Sequence, residues 1–124
     1  MKKILFIEDE SAVQKTVGEV LKQEGYEVIS ALDGEIGLRL AQTNKPDLIL
    51  LDLILPKLHG LEVLKGLKEN EQTKQIPVIV LTNLEDMSGI EKALETGATT
   101  YLVKENYNLE EIVEKVKEAL KKFK

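Results

Sequence analysis

The sequence predicts an α/β domain, a doubly wound five-stranded parallel sheet with five helices divided between its two faces. Three observations predict it. Short apolar runs alternate with longer stretches of helical periodicity, five times over. The runs are continuously apolar, as in Leu48-Ile49-Leu50-Leu51, which means that both sheet faces are covered. Most of them stop abruptly at a charged or hydroxyl-bearing residue, where open sheets of this kind place their function.

The elements follow in order. Residues 3–7 read as a buried strand ending at Glu8-Asp9-Glu10. Ser11 then opens a helix with capping-box spacing to Gln14, Val13, Val17, Val20 and Leu21 supply its apolar face, and Gly25 marks a left-handed stop. Residues 26–31 form the second strand. Asp33 caps a helix running to about Thr43, which Gly37 interrupts. The third strand, 48–51, stops at Asp52. Leu61, Leu64 and Leu67 mark the third helix, and Pro77 precedes the fourth strand, 78–81, which ends at Thr82. A helix from about Asp86 to Glu95 is stopped by Gly97. A short fifth strand, 100–103, ends at Lys104. Asn108 and Glu111 have capping-box spacing ahead of the final helix, striped by Leu109, Ile112, Val113, Val116 and Leu120. No linker or repeat divides the chain, so residues 1–124 are expected to form one domain.

Composition narrows the function classes. The 124 residues carry 17 basic and 22 acidic side chains, a formal net charge of -5, and Arg39 is the single arginine. Non-specific nucleic-acid binding needs clustered positive charge, so direct nucleic-acid contact by this chain is not expected. With no Cys, disulfides and thiolate metal sites are excluded. No stretch approaches the roughly 18 apolar residues of a membrane span, and no signal-like apolar core follows Met1, so a cytoplasmic location without membrane contact is expected.

The strand-ending residues Glu8, Asp9, Asp52, Thr82 and Lys104 are chemically complementary. Neighbouring strands lie a little under about 5 Å apart, so the three carboxylates would converge. Two unit charges about 4 Å apart repel by on the order of 4 kcal/mol at an effective dielectric near 20. One lysine cannot balance three carboxylates, so a divalent cation completes the site. The donors are all hard oxygens, which favours Mg²⁺. Asp52 is then a nucleophile for phosphoryl transfer, with Thr82 and Lys104 holding phosphate oxygens. Taken singly, Glu8-Asp9-Glu10 reads as a solvated helix N-terminus, Asp52 as a turn former and Lys104 as an edge charge. Their joint occurrence at four of five strand ends favours a single site. His59 reads as a surface loop residue.

These residues resemble the receiver domain of two-component response regulators, over essentially the whole chain. The matching segments are Ile4-Leu5-Phe6-Ile7-Glu8-Asp9-Glu10, Asp33-Gly34, Asp47-Leu48-Ile49-Leu50-Leu51-Asp52-Leu53 with Pro56 and Gly60, Val78-Ile79-Val80-Leu81-Thr82, Gly97-Ala98, and Tyr101-Leu102-Val103-Lys104. The resemblance implies a flavodoxin-like sheet of order 2-1-3-4-5, an order for which a chemotaxis receiver is a standard example. It implies that Asp52 is the phosphoacceptor, and that Glu8, Asp9, Asp52 and the main-chain carbonyl of Ile54 hold Mg²⁺. It also implies that Thr82 and Lys104 contact the phosphoryl group, with Thr82 and Tyr101 forming the switch. The implied function is a phosphorylation-activated signalling switch with no separate turnover substrate. Its partners would be a histidine kinase or histidine phosphotransfer protein and a downstream target. That target would meet the face of the fourth helix, fifth strand and fifth helix, including Met87, Ile90, Tyr101 and Tyr107. The oligomeric state would be a monomer or a phosphorylation-dependent dimer.

Four positions depart from the family pattern. Glu105 stands where Pro is usual, which bears on a cis peptide after Lys104. Asn83 replaces a small residue. Ile54 and Leu84 replace polar groups that position an attacking water, so slow hydrolysis is expected. The chain carries no recognisable DNA-binding or catalytic output domain, so output is expected to be a change of surface. The alternatives are a flavin-binding electron carrier, which the acidic first loop disfavours, and an Asp-nucleophile phosphatase, which needs a second Asp two positions after the first, where this chain has Ile54. A phosphorylation-independent adaptor of the same fold is the nearest alternative.

Overall fold

A computed structural model describes residues 1–82, 87–104 and 108–122. The strands are β1 (Lys3–Ile7), β2 (Glu27–Ala31), β3 (Leu48–Asp52), β4 (Val78–Thr82) and β5 (Thr100–Val103). The helices are α1 (Ser11–Gln23), α2 (Gly34–Asn44), α3 (Gly60–Glu69), α4 (Met87–Thr96) and α5 (Leu109–Lys122). All strand pairings are parallel, in the order β2-β1-β3-β4-β5.

Successive strand residues point to opposite faces, so each continuous apolar run feeds two cores. Ile4, Phe6, Leu48, Leu50, Ile79 and Leu81 pack against Val17 and Leu21 of α1 and Ile112 and Val116 of α5. Leu5, Ile7, Ile49, Leu51, Val78 and Val80 pack against Ala41 of α2, Val63, Leu64 and Leu67 of α3 and Ala93 of α4. β3 and β4 are buried along their whole length, while β2 and β5 at the edges are partly exposed. That gradient is why the middle strands are unbroken in hydrophobicity and the edge strands are not.

The expected boundaries are met within a residue or two, and several local readings change. Asp33 caps α2, its Oδ1 accepting from Ile36 N at 2.8 Å. Gly25 (φ +96°) and Gly97 (φ +122°) adopt the left-handed stops expected of them. Asn108 Oδ1 accepts from Glu111 N at 3.0 Å, the forward half of a capping box. Ser11 is not a cap. The N-cap is Glu10, without a side-chain bond, because the acidic loop satisfies itself through Glu10 N donating to Glu8 Oε2 at 3.2 Å. Gln14 is free of any box and points inward. Gly37 does not break α2: a Cβ there would stand 2.6 Å from Ile7 Cδ1, so the missing side chain lets the helix lie on β1. His59 is exposed, as expected of a loop residue, yet it also caps α3, Nδ1 accepting from Leu61 N at 3.2 Å. The expected α4 start at Asp86 lies outside the described residues.

Candidate functional site

The sheet register brings the strand ends together. β3 runs one residue past the end of β1, because Ile7 pairs with Leu51 and Asp52 pairs with Leu81 of β4. Thr82 pairs with Val103, and Lys104 N donates to Thr82 O at 2.7 Å, which places Lys104 just beyond the edge of the sheet. Lys104 Nζ then reaches back across the sheet end. It stands 2.9 Å from Asp52 Oδ2, 2.8 Å from Glu8 Oε1 and 3.8 Å from Glu10 Oε1.

Carboxylate oxygens of Glu8, Asp9 and Asp52 all lie within 4.8 Å of one another. Glu8 is fully buried and Asp52 nearly so, while Asp9 is exposed at the mouth. Burial, reinforced by the charge of Asp52, pushes the Glu8 carboxyl up to about 7 against the opposing hydrogen bond from Lys104. For Lys104, burial pulls the ammonium down, but its hydrogen bonds to Glu8 and Asp52 and their charges outweigh that and raise it. The ammonium is therefore permanently charged, and it is shared among more carboxylates than it can neutralise.

The loop after β3 is equally constrained. Ile54 N donates to Asp52 Oδ1 at 3.3 Å, and Gly60 N donates to Leu53 O at 2.8 Å. A Cβ on Gly60 would stand 2.5 Å from Asp52 O, so only glycine lets α3 begin against the end of β3. The Ile54 side chain is about half exposed beside the site. Thr82 is fully buried at the end of β4.

The donor set fits a hard divalent cation. Three carboxylates face one ammonium, and beyond its 2.8 Å ion pair with Lys104 the buried Glu8 Oε1 has no other donor among the described residues. A carboxylate oxygen carries two lone pairs, so this oxygen has acceptor capacity left for a metal or its water. The carboxylates that could hold such a cation are those of Glu8, Asp9 and Asp52.

The structure thus gathers Glu8, Asp9, Asp52 and Lys104 directly and sets Thr82 on the adjacent strand end. Tyr101 pairs with Val80 on the edge strand and is 37% exposed. Ile90 is buried, so it offers little accessible surface on α4; among the described side chains of that helix, Leu94 is the exposed apolar one. Asn83, Leu84, Tyr107, the Met87 side chain and the Lys104–Glu105 peptide lie outside the described residues. Sequence reasoning missed the role of Gln14, whose amide bonds three main-chain carbonyls at the foot of the acidic loop. A polar residue inside an otherwise apolar helical face was the signal available.

The model of the response regulator receiver domain matches residues 4–117. The alkaline phosphatase synthesis transcriptional regulatory protein PhoP of Bacillus subtilis is 43% identical over 103 residues, 83% of this chain and 42% of that protein. The chain spans about half the length of the curated relatives it matches. A response regulator of Chloroflexus aurantiacus has a similar crystal structure, with TM-score 0.90, 33% identity, and 96% and 97% of the two chains covered. So does the receiver domain of a sensor histidine kinase from Pseudomonas aeruginosa, solved with magnesium in its active-site cleft, with TM-score 0.88, 28% identity, and 96% and 97% covered. Among the described residues, no helix is long and apolar enough to cross a membrane. A sheet of order 2-1-3-4-5, with an acidic cluster and a lysine at its carboxyl end and a family match over residues 4–117, places this chain in the response-regulator receiver-domain family.

Proposed function

We propose that residues 1–124 act as one phosphorylation-activated switch, in which Asp52 takes a phosphoryl group from a histidine kinase, a histidine phosphotransfer protein or a small phosphodonor. The observation that carries this reading is the Lys104 ammonium 2.9 Å from Asp52, with Glu8 and Asp9 completing an acidic cluster around it. Asp52 attacks phosphorus, the bond from phosphorus to the donor atom breaks, and an acyl phosphate forms on the carboxylate. Lys104 sits where it can pair with a phosphoryl oxygen as the aspartate charge is esterified. Mg²⁺, held by Glu8, Asp9, Asp52 and the Ile54 carbonyl, would supply charge neutralisation for the phosphoryl oxygens. The remaining work is positioning, by a buried rigid strand end.

In this reading Thr82 bonds the phosphoryl group and Tyr101 moves inward, changing the α4–β5–α5 face that a downstream protein meets. Moving a population from 1:99 to 99:1 needs about 5.5 kcal/mol of differential stabilisation. Charge-assisted bonds from Lys104 and Thr82 supply a share of that. Slow loss of the phosphoryl group is the only turnover expected, and a monomer or a phosphorylation-dependent dimer accommodates the face. The site lies within the chain's own fold and needs neither nucleic acid nor a membrane, which fits cytoplasmic exchange. The test is incubation with acetyl phosphate and Mg²⁺ followed by intact-mass measurement. Wild type gains one phosphoryl group and Asp52→Ala gains none; a wild type that stays unmodified refutes the reading in favour of a phosphorylation-independent adaptor.

A further inference from the structure

Gln14 lies in the second turn of α1 and is 8% exposed. Its Nε2 donates to Phe6 O at 2.9 Å, Glu8 O at 3.1 Å and Ala31 O at 3.0 Å. An amide has two N–H groups, so one of them is shared between two acceptors. Three carbonyls around Nε2 also fix which end of the amide is the donor, since a reversed amide would set oxygen against oxygen.

The location gives these bonds meaning. The β1–β2 ladder ends at the pair Ile7 and Ala31, and Glu8 N makes one further bond to Ala31 O at 3.0 Å. Beyond that point the sheet offers Glu8 nothing, and its carbonyl is taken by Gln14 alone among the described hydrogen bonds. Glu8 is therefore held from both sides, its N–H by the end of β2 and its carbonyl by α1. This is the residue at which the chain must turn while carrying Glu8 and Asp9 toward Asp52, against their mutual repulsion.

We propose that Gln14 is a positioning residue for the cation site: by clamping the backbone of Glu8 to the ends of β1 and β2, it holds the acidic pair in place before Mg²⁺ arrives. The proposal rests on the phosphorylation reading above. Removing the clamp lets repulsion spread the loop, and cation binding must then draw it back. Partners that orient metal ligands typically change affinity by roughly 10–100-fold when removed.

The test uses Gln14→Met, which keeps the side-chain length and removes the donors, with Gln14→Asn as a second variant that keeps an amide but falls one methylene short. Lys68→Met is the control for lost stability. Lys68 Nζ donates to Lys74 O at 3.1 Å and Ile76 O at 3.0 Å, before the start of β4 and at the opposite end of the sheet from the site. Mg²⁺ is titrated calorimetrically into each unphosphorylated protein, and acetyl phosphate rates are measured across Mg²⁺ concentration. Both Gln14 variants should bind Mg²⁺ at least about tenfold more weakly than wild type. Their rates should return to within about threefold of wild type at saturating Mg²⁺, while Lys68→Met keeps wild-type affinity. Gln14 variants that match wild-type Mg²⁺ affinity within about twofold, whatever their melting temperature, overturn the proposal. A wild type that binds Mg²⁺ but takes no phosphoryl group refutes the phosphorylation reading and leaves the Gln14 affinity comparison standing.

Discussion

Replacing Lys104 by Met tests whether the acidic cluster is held together by one ammonium. The substitution keeps most of the aliphatic stem, so the cavity is small and the change is chiefly electrostatic. Lys104 Nζ sits 2.8 Å from Glu8 and 2.9 Å from Asp52. At an effective dielectric near 20, each contact is worth about 6 kcal/mol of gross attraction. Desolvation of the ammonium offsets much of that, and removing one partner of a buried ion pair costs about 3–5 kcal/mol in practice. For 124 residues the unfolding entropy is about 0.26 kcal/mol/K, so the melting temperature should fall by roughly 12–19 °C in EDTA.

The loss should depend on pH in a stated direction. Burial has already raised Glu8 from 4.5 to about 7, and loss of Lys104 raises it further. A carboxyl raised in the folded state favours folding at low pH, and that contribution disappears as pH climbs through the folded value. The deficit of Lys104→Met is therefore smaller at pH 6, where Glu8 is largely protonated in both proteins, than at pH 8, where wild-type Glu8 is ionised against Lys104 and the variant must either hold its proton or leave the carboxylates unbalanced. At one fixed concentration Mg²⁺ should recover more stability in the variant, which has no ammonium competing for the carboxylates, than in wild type, the gain reaching about 2.7 kcal/mol where the cation stands at a hundredfold excess over the variant's dissociation constant. Thermal unfolding followed by circular dichroism reads all three effects. A fall of less than about 4 °C that is equal at pH 6 and pH 8 would refute the electrostatic account.

Gly60→Ala should destabilise the fold by about 1–3 kcal/mol, because the new Cβ meets main-chain atoms of Asp52 and Leu53 that have no rotamer to give. The same variant should slow phosphorylation of Asp52, read as the rate of mass gain with acetyl phosphate; a wild-type rate and melting temperature together would contradict the packing. Ile54→Asn should shorten the lifetime of the acyl phosphate by about tenfold, below the roughly 10²–10⁴-fold of a fully positioned proton-transfer group, since a half-exposed apolar side chain beside the site gives way to one that can orient water. Following the decay of phosphorylated mass after removal of the donor checks this, and an unchanged decay counts against it.

Much of this molecule was legible in one dimension. Unbroken apolar runs at 48–51 and 78–81 announced strands covered on both faces, and the residues ending them carried the chemistry of the site, because parallel strands must all deliver their carboxyl ends to one edge. Asp33, Gly25 and Gly97 declared helix boundaries because their conformations are intrinsic to those residue types. Other roles depended on neighbours distant in sequence. Gly37 looks like a helix breaker until Ile7 is placed under it, and Ile90 looks like a surface residue until α4 is rotated onto the sheet. Gln14 has the spacing of a cap, yet its partners are carbonyls eight residues back and 17 ahead. Periodicity and local propensity act over a few residues and are written in the chain; which buried polar group meets which unpaired carbonyl is decided only when separate strand ends come together.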